Sequence, residues 1–207
     1  MIDAAWLVFM IASLVLIATP GQDMILVMSR SVAQGAAAGV VTAAGVSVGL
    51  VGHTMLATLG LGAILRTSEW LFVALKFVGA AYLVYLGISL LRTTQSSLPI
   101  GAQASRTLGR LFVDGAVSNL SNPKIAIFYF AFLPQFVAPS AQQPTLTVFV
   151  LGLAFAGLTF LVKAPVGFFA GKLSTWLRLR PRVLTWVFRS SGAILIGLGV
   201  RLALERR

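Results

Sequence analysis

The 207 residues are 58% hydrophobic and only 10% charged, against about 45–50% and about 25% in a soluble globular domain, so this is an integral membrane chain. The net charge of +11 does not signal nucleic acid, because Lys and Arg lie mainly in loops and at helix ends with no basic run interleaved with aromatics. The absence of cysteine excludes disulfides, thiolate metal sites and a cysteine nucleophile.

A spanning helix needs about 20 mostly apolar residues, and six segments meet that measure, at about 4–30, 37–65, 70–92, 111–138, 145–171 and 186–204. The first has Asp3 in place of a basic leader region, which reads as a retained span and not a signal peptide. It is interrupted by Thr19-Pro20-Gly21-Gln22-Asp23, a helix breaker and an acid inside an apolar run. The second span carries the only histidine, His53, after Gly45 and Gly49, a small-xxx-small pair that favours close helix packing. Asp114 stands near the start of the fourth, where an acid favours a helix N-terminus. The same span is broken at Asn122-Pro123-Lys124, with Asn119 just before. In the fifth span Lys163 precedes Pro165, and a long side chain there can snorkel to the interface. The basic stretch 171–185 reads as a loop. Trp6, Trp70, Trp176 and Trp186 fall near span ends, as interfacial anchors do.

Lys and Arg concentrate in the first, third and fifth loops, at Arg30, at Arg92, Arg106 and Arg110, and at Lys172, Arg178, Arg180 and Arg182. Those loops are expected in the cytoplasm and both termini in the periplasm, although Arg201, Arg206 and Arg207 argue the other way. The second loop offers only Arg66, offset by Glu69, and the fourth, about 139–144, has no basic residue. Pro20 and Pro123 each break the first span of one half, and Gly79-Ala80 with Leu86-Gly87 is echoed by Gly192-Ala193 with Leu198-Gly199. An odd number of spans per half inverts the second half relative to the first. The expected fold is one all-α integral membrane domain over 1–207. It has six transmembrane helices in two inverted three-helix repeats (about 1–92 and about 111–207), joined by a loop over about 93–110, and the first helix of each repeat is broken at Pro.

The ATPGQD segment, Gly35 through Gly49 with His53, FVGAAYLVYLGISLLR (77–92) and NLSNPKIAIFYFAFLPQF (119–136) together resemble the LysE/RhtB amino-acid exporter (translocator) family over essentially the whole chain. The chain departs from that pattern at Gln22, where the family usually has a second proline. The resemblance implies a multi-pass protein of the bacterial inner membrane that exports amino acids or close derivatives, driven by the proton gradient. It and the Gly-rich faces are compatible with a homodimer.

Broken backbone in hydrocarbon is tolerated only inside protein or along a water-filled cavity. Two breaks near mid-span therefore suggest a substrate and proton pathway built from Thr19, Pro20, Gly21, Gln22, Asp23, Asn119, Asn122, Pro123 and Lys124. A plain proline kink is the alternative. Helix N-termini just after each break suit a carboxylate. Asp23 suits an ammonium group or a coupled proton, and Lys124 a carboxylate or an exchange of partners with Asp23. A permanent structural ion pair is the other reading of those two. His53, which could relay protons, Lys163 and Asp114 are further pathway candidates, with competing structural readings: an interhelical hydrogen bond, snorkelling and helix capping. One histidine and five scattered acids assemble neither an enzyme's catalytic group nor a metal site, and no phosphate-binding loop is present, so no cofactor is expected. The partners expected are a small amino acid, protons and the lipid bilayer. A neutral or zwitterionic substrate such as homoserine or threonine is favoured over a dicationic one, since only Asp23 offers a carboxylate near mid-span. A channel or a scaffold subunit without coupled transport is the alternative function.

Overall fold

The computed structural model describes residues 4–67, 69–93, 104–137, 141–178 and 180–204. Asp3, most of the 93–110 loop, residues 138–140 of the fourth loop, Arg206 and Arg207 lie outside the described residues, as do the side chains of Arg66, Glu69 and Arg178. The described chain is helical throughout. The elements are α1 (Ala4–Ala18), α2 (Gln22–Gln34), α3 (Ala36–Thr67), α4 (Glu69–Leu91), α5 (Leu108–Leu120), α6 (Pro123–Phe132) with a 3-10 turn at Leu133–Phe136, α7 (Pro144–Phe168), α8 (Ala170–Arg178) and α9 (Pro181–Leu204).

The six-span arrangement in two inverted repeats is not what the chain forms. Among the described residues three helices are long and apolar enough to cross a membrane: Ala36–Gly60, Pro144–Phe168 and Arg182–Leu204. A fourth span results if the pair Trp6–Ala18 and Gln22–Gln34, bent by 52°, counts as one. The expected third span coincides with α4, Glu69–Leu91, of which Phe77–Leu91 counts among the described residues as a shorter apolar helix. The expected fourth span is cut at Ser121-Asn122 into α5 of 13 residues and α6 of 10. Pro134 then tightens the end of α6 into the 3-10 turn. The 171–185 stretch is not a plain loop either, since α8 occupies Ala170–Arg178. Leu173 on its inner side joins the buried cluster of Met24, Met28, Leu184 and Phe188.

Helix α3 is the centre of the packing, lying between α5 and α7 with α2 alongside, while α4 pairs with α9. Lipid cannot drive apolar faces together, so such contacts depend on close backbone approach and dispersion. Glycines supply it. A Cβ on Gly115 of α5 would stand 2.5 Å from the Thr42 carbonyl oxygen of α3, and Gly45 of α3 reciprocally meets the Phe112 carbonyl of α5. At the α4–α9 crossing a Cβ on Gly87 would stand 2.6 Å from the Gly192 carbonyl oxygen, and one on Gly192 2.6 Å from that of Gly87. The echo between the two halves around Gly79-Ala80 and Gly192-Ala193 thus includes a mutual packing contact. An aromatic core fills the space between α1, α6 and α7: Phe128 stacks on Phe132 at 4.8 Å, and Phe9 lies 5.8 Å from Phe132. Leu59, Leu161, Trp70 and Trp186 are among the exposed large apolar side chains, as suits a chain solvated by lipid.

These close approaches set an expectation. Gly115→Ala forces the α3–α5 crossing apart and should destabilise the protein by about 1–3 kcal/mol. Gly157→Ala in α7 meets nothing within 4 Å and should be neutral or stabilising by up to about 1 kcal/mol. Thermal unfolding of both variants in the same detergent checks the contrast, and equal shifts would contradict it.

Candidate functional site

The first break is made by Pro20, which has no N–H to continue α1. The last amide of α1, Thr19, bonds back to the Val15 and Leu16 carbonyls at 3.2 and 3.1 Å. Its hydroxyl donates to Val15 O at 2.9 Å and touches the Ser191 hydroxyl of α9. Gly21 is extended (φ −121°, ψ −171°) and caps α2 with no side chain. The first amides of α2 are therefore left without an intrahelical or side-chain acceptor. The second break differs. Asn122 caps α6 with its side-chain oxygen, which accepts from Lys124 N at 3.0 Å, and Pro123 fills the first helical position. Only the N-terminus of α2 therefore remains open to a ligand, not both as the sequence suggests. The breaks are joined: Asn122 Nδ2 donates to Gln22 Oε1 at 3.3 Å.

Asp23 is buried at the first turn of α2, and its Oδ2 accepts from Asn119 Nδ2 at 2.8 Å and from Lys163 Nζ at 3.2 Å. Its partner is thus Lys163 of α7, not Lys124. Lys163 is itself buried, 7% exposed, so it reaches inward and does not snorkel. Asp23 Oδ1 and Asn119 Oδ1 are buried without a hydrogen-bond partner. His53 Nε2 lies 3.1 Å from the Asn119 carbonyl, an interhelical contact at the end of α5 to an oxygen that also accepts from Asn122 N at 2.9 Å. Tyr82 donates to the Lys124 carbonyl at 3.2 Å. The Lys124 ammonium has no acceptor among the described residues.

A cavity of about 180 Å³ opens between the two breaks. That is smaller than the roughly 300–1,000 Å³ of sites for drug-sized ligands. Thr19, Gly21, Gln22, Asp23, Asn122 and Lys124 line it, together with Lys163. Of the sequence candidates, Asn119 stands behind Asp23, and His53 behind Asn119. Asp114 is elsewhere. It does not cap α5, whose cap is Thr107, accepting from Arg110 N. Its carboxylate is shared by Arg30 at 3.5 Å, Arg106 at 2.5 Å and Arg110 at 3.3 Å. Arg30 also donates to the Ala104 carbonyl at 3.1 Å, and Gln34 to the Arg106 carbonyl at 2.7 Å. Arg30 of the first loop and Arg106 and Arg110 of the third therefore meet on one carboxylate.

Sequence reasoning missed the apolar wall of the cavity, which includes Phe128, Phe155 and Leu195, and missed Thr159. A signal was present: Phe155, Thr159 and Lys163 recur every four residues, one face of a helix. The pairing of Asp23 with Lys163 had no such signal, since two lysines were equally available. Among the described residues no group of three or more His, Cys, Asp or Glu is placed to hold a metal.

Residues 14–206 match the model of the LysE type translocator family. The chain is 33% identical over 189 residues to an uncharacterized membrane protein of Pseudomonas aeruginosa, covering 89% of this chain and 88% of the other. It is 31% identical over 202 residues to the homoserine/homoserine lactone efflux protein of Salmonella typhimurium, covering 97% of each. It is 30% identical over 162 residues to the leucine efflux protein of the same organism, covering 74% of this chain and 76% of the other. No solved structure matches the chain. The chain belongs to the LysE type translocator family, and is a multi-pass membrane transporter and not an enzyme.

Proposed function

We propose that this protein exports a neutral, zwitterionic amino acid or close derivative, of homoserine or threonine size, in exchange for protons. The observation that carries this reading is the cavity between the two helix breaks, which brings one buried carboxylate, an ammonium with no acceptor among the described residues and an uncapped helix N-terminus to one small space. A zwitterion needs both signs of partner. Its ammonium group goes to Asp23, whose Oδ1 is unsatisfied, and its carboxylate to Lys124 and the open amides of α2. Gln22, Asn122 and Thr19 add polar groups beside Gly21, while Pro20 and Pro123 keep the backbone open. Asn119 and His53 hold Asp23 in place, and Lys163 neutralises it. Asp114 acts at a distance, tying α2 to the 104–107 segment. The similarity to homoserine and leucine efflux proteins supports a neutral substrate. The gathered arginines support a cytoplasmic placement of the loops that carry them, and with it periplasmic termini in the bacterial inner membrane.

The direct test uses the protein in liposomes with a panel of radiolabelled amino acids, with and without an imposed pH gradient. Gradient-dependent accumulation of a neutral amino acid is expected. Gradient-independent equilibration would indicate a channel, and no flux from folded protein a scaffold. Asp23→Asn should abolish the gradient-driven component while exchange of substrate across the membrane persists. Loss of both in folded protein would assign Asp23 to substrate alone. A folding check belongs with this variant, since removing one partner of a buried pair costs about 3–5 kcal/mol.

Lys124 is exposed and has no acceptor among the described residues, so Lys124→Ala should leave stability nearly unchanged while raising KM about tenfold or more, the worth of one charge-assisted bond. A fall in yield with unchanged transport per molecule would make Lys124 a structural residue.

A further inference from the structure

The cavity has a direction. On α7 the lining residues are Lys163, Thr159 and Phe155, spaced by four, so one helix face runs from a cation through a hydroxyl to an aromatic ring over about 12 Å. On α6 the lining residues Lys124 and Phe128 repeat the sequence cation to ring one turn apart, about 6 Å. The two rings meet, with Phe128 and Phe155 centroids 5.8 Å apart. The charges gather at the other end, where Lys163 bonds Asp23. The Thr159 hydroxyl donates to the Phe155 carbonyl at 2.8 Å, so beyond Lys163 the lining residues of α7 offer no free donor. Asp23 is the only acid among the lining residues.

The geometry points to the Phe128–Phe155 pair as the subsite for the substrate's side chain, selecting an uncharged aliphatic chain and limiting its length. This rests on the amino-acid reading of the same cavity. A substrate whose charged head lies at Asp23 and Lys124 directs its side chain toward the rings. A second charge placed there is desolvated with no counter-ion. A short aliphatic chain gains burial, and each methylene that fits is worth about tenfold or more in discrimination. A bulky ring has no room, because the stacked Phe132 backs Phe128.

The test is a competition series on the full chain in liposomes under a pH gradient, with labelled leucine and labelled homoserine as probes. Alanine, valine, leucine, phenylalanine and lysine are the competitors. Potency should climb from alanine to leucine, then fall about tenfold or more at phenylalanine and lysine. Phe155→Ala should raise phenylalanine relative to leucine by about tenfold, with Phe155→Leu as the milder variant should the first fail to fold. The wild-type series stands without either. A flat series, or a Phe155 variant that transports with unaltered rank order, overturns the subsite while leaving the exporter reading intact. Absence of gradient-dependent flux for every amino acid overturns both.

Discussion

A carboxylate buried where water is scarce is the constraint around which the centre of this molecule is organised. Asp23 sits at the first turn of a helix that begins in mid-chain after a proline, 6% exposed. An unpaired ion there would be too costly to keep. Three elements answer it: α2 with its N-terminal dipole, α5 with the Asn119 amide, and α7 with the Lys163 ammonium. Each contact also positions a helix. The pair is no simple gain in stability, since the desolvation of two charges offsets much of their attraction. Its value lies in fixing where α2 and α7 stand, and in keeping one carboxylate oxygen unsatisfied beside a cavity.

Packing then has to hold this polar centre inside lipid without help from the hydrophobic effect between helices. The solution is backbone contact. Gly45 with Gly115, and Gly87 with Gly192, bring helix axes so close that a methyl group would collide with a carbonyl. The aromatic cluster of Phe9, Phe128, Phe132 and Phe155 fills what remains. The site and the scaffold are therefore not separate layers: Phe128 and Phe155 are at once core residues and cavity walls.

Much of this was legible in the sequence. Composition alone assigns the chain to the membrane, and the helix ends at Ala18 and Leu120 follow from Pro20 and Pro123. What failed was the step from apolar segments to crossing helices. Hydropathy counts a broken run as one apolar segment, whereas the helices on either side of Ser121-Asn122 are only 13 and 10 residues long. Counting prolines and glycines in each half suggested six spans, where among the described residues three helices, or four with the bent pair, are long and apolar enough to cross. The site was half legible. Local chemistry identifies Asp23 as an acid in need of a partner, but only the three-dimensional arrangement chooses Lys163, 140 positions away, over Lys124. Asp114 differs: in place of a helix cap it takes ion pairs with Arg106 and Arg110 nearby and with Arg30 at a separation of 84.

Helices α2 and α5 are joined twice, by Asp23 with Asn119 and by Arg30 with Asp114. The first joint is near the start of α2 and the second two turns on, while on α5 their order is reversed, so the two run antiparallel like the rails of a ladder with two rungs. A ladder resists shear. Sliding one rail by a turn would tear a buried carboxylate from its amide and an arginine from its acid in the same movement. Any rearrangement that admits or releases a solute is therefore expected to carry α2 and α5 together as one stiff unit. The change of angle then falls on the short unwound links at Pro20-Gly21 and Ser121-Asn122 that the rungs leave free.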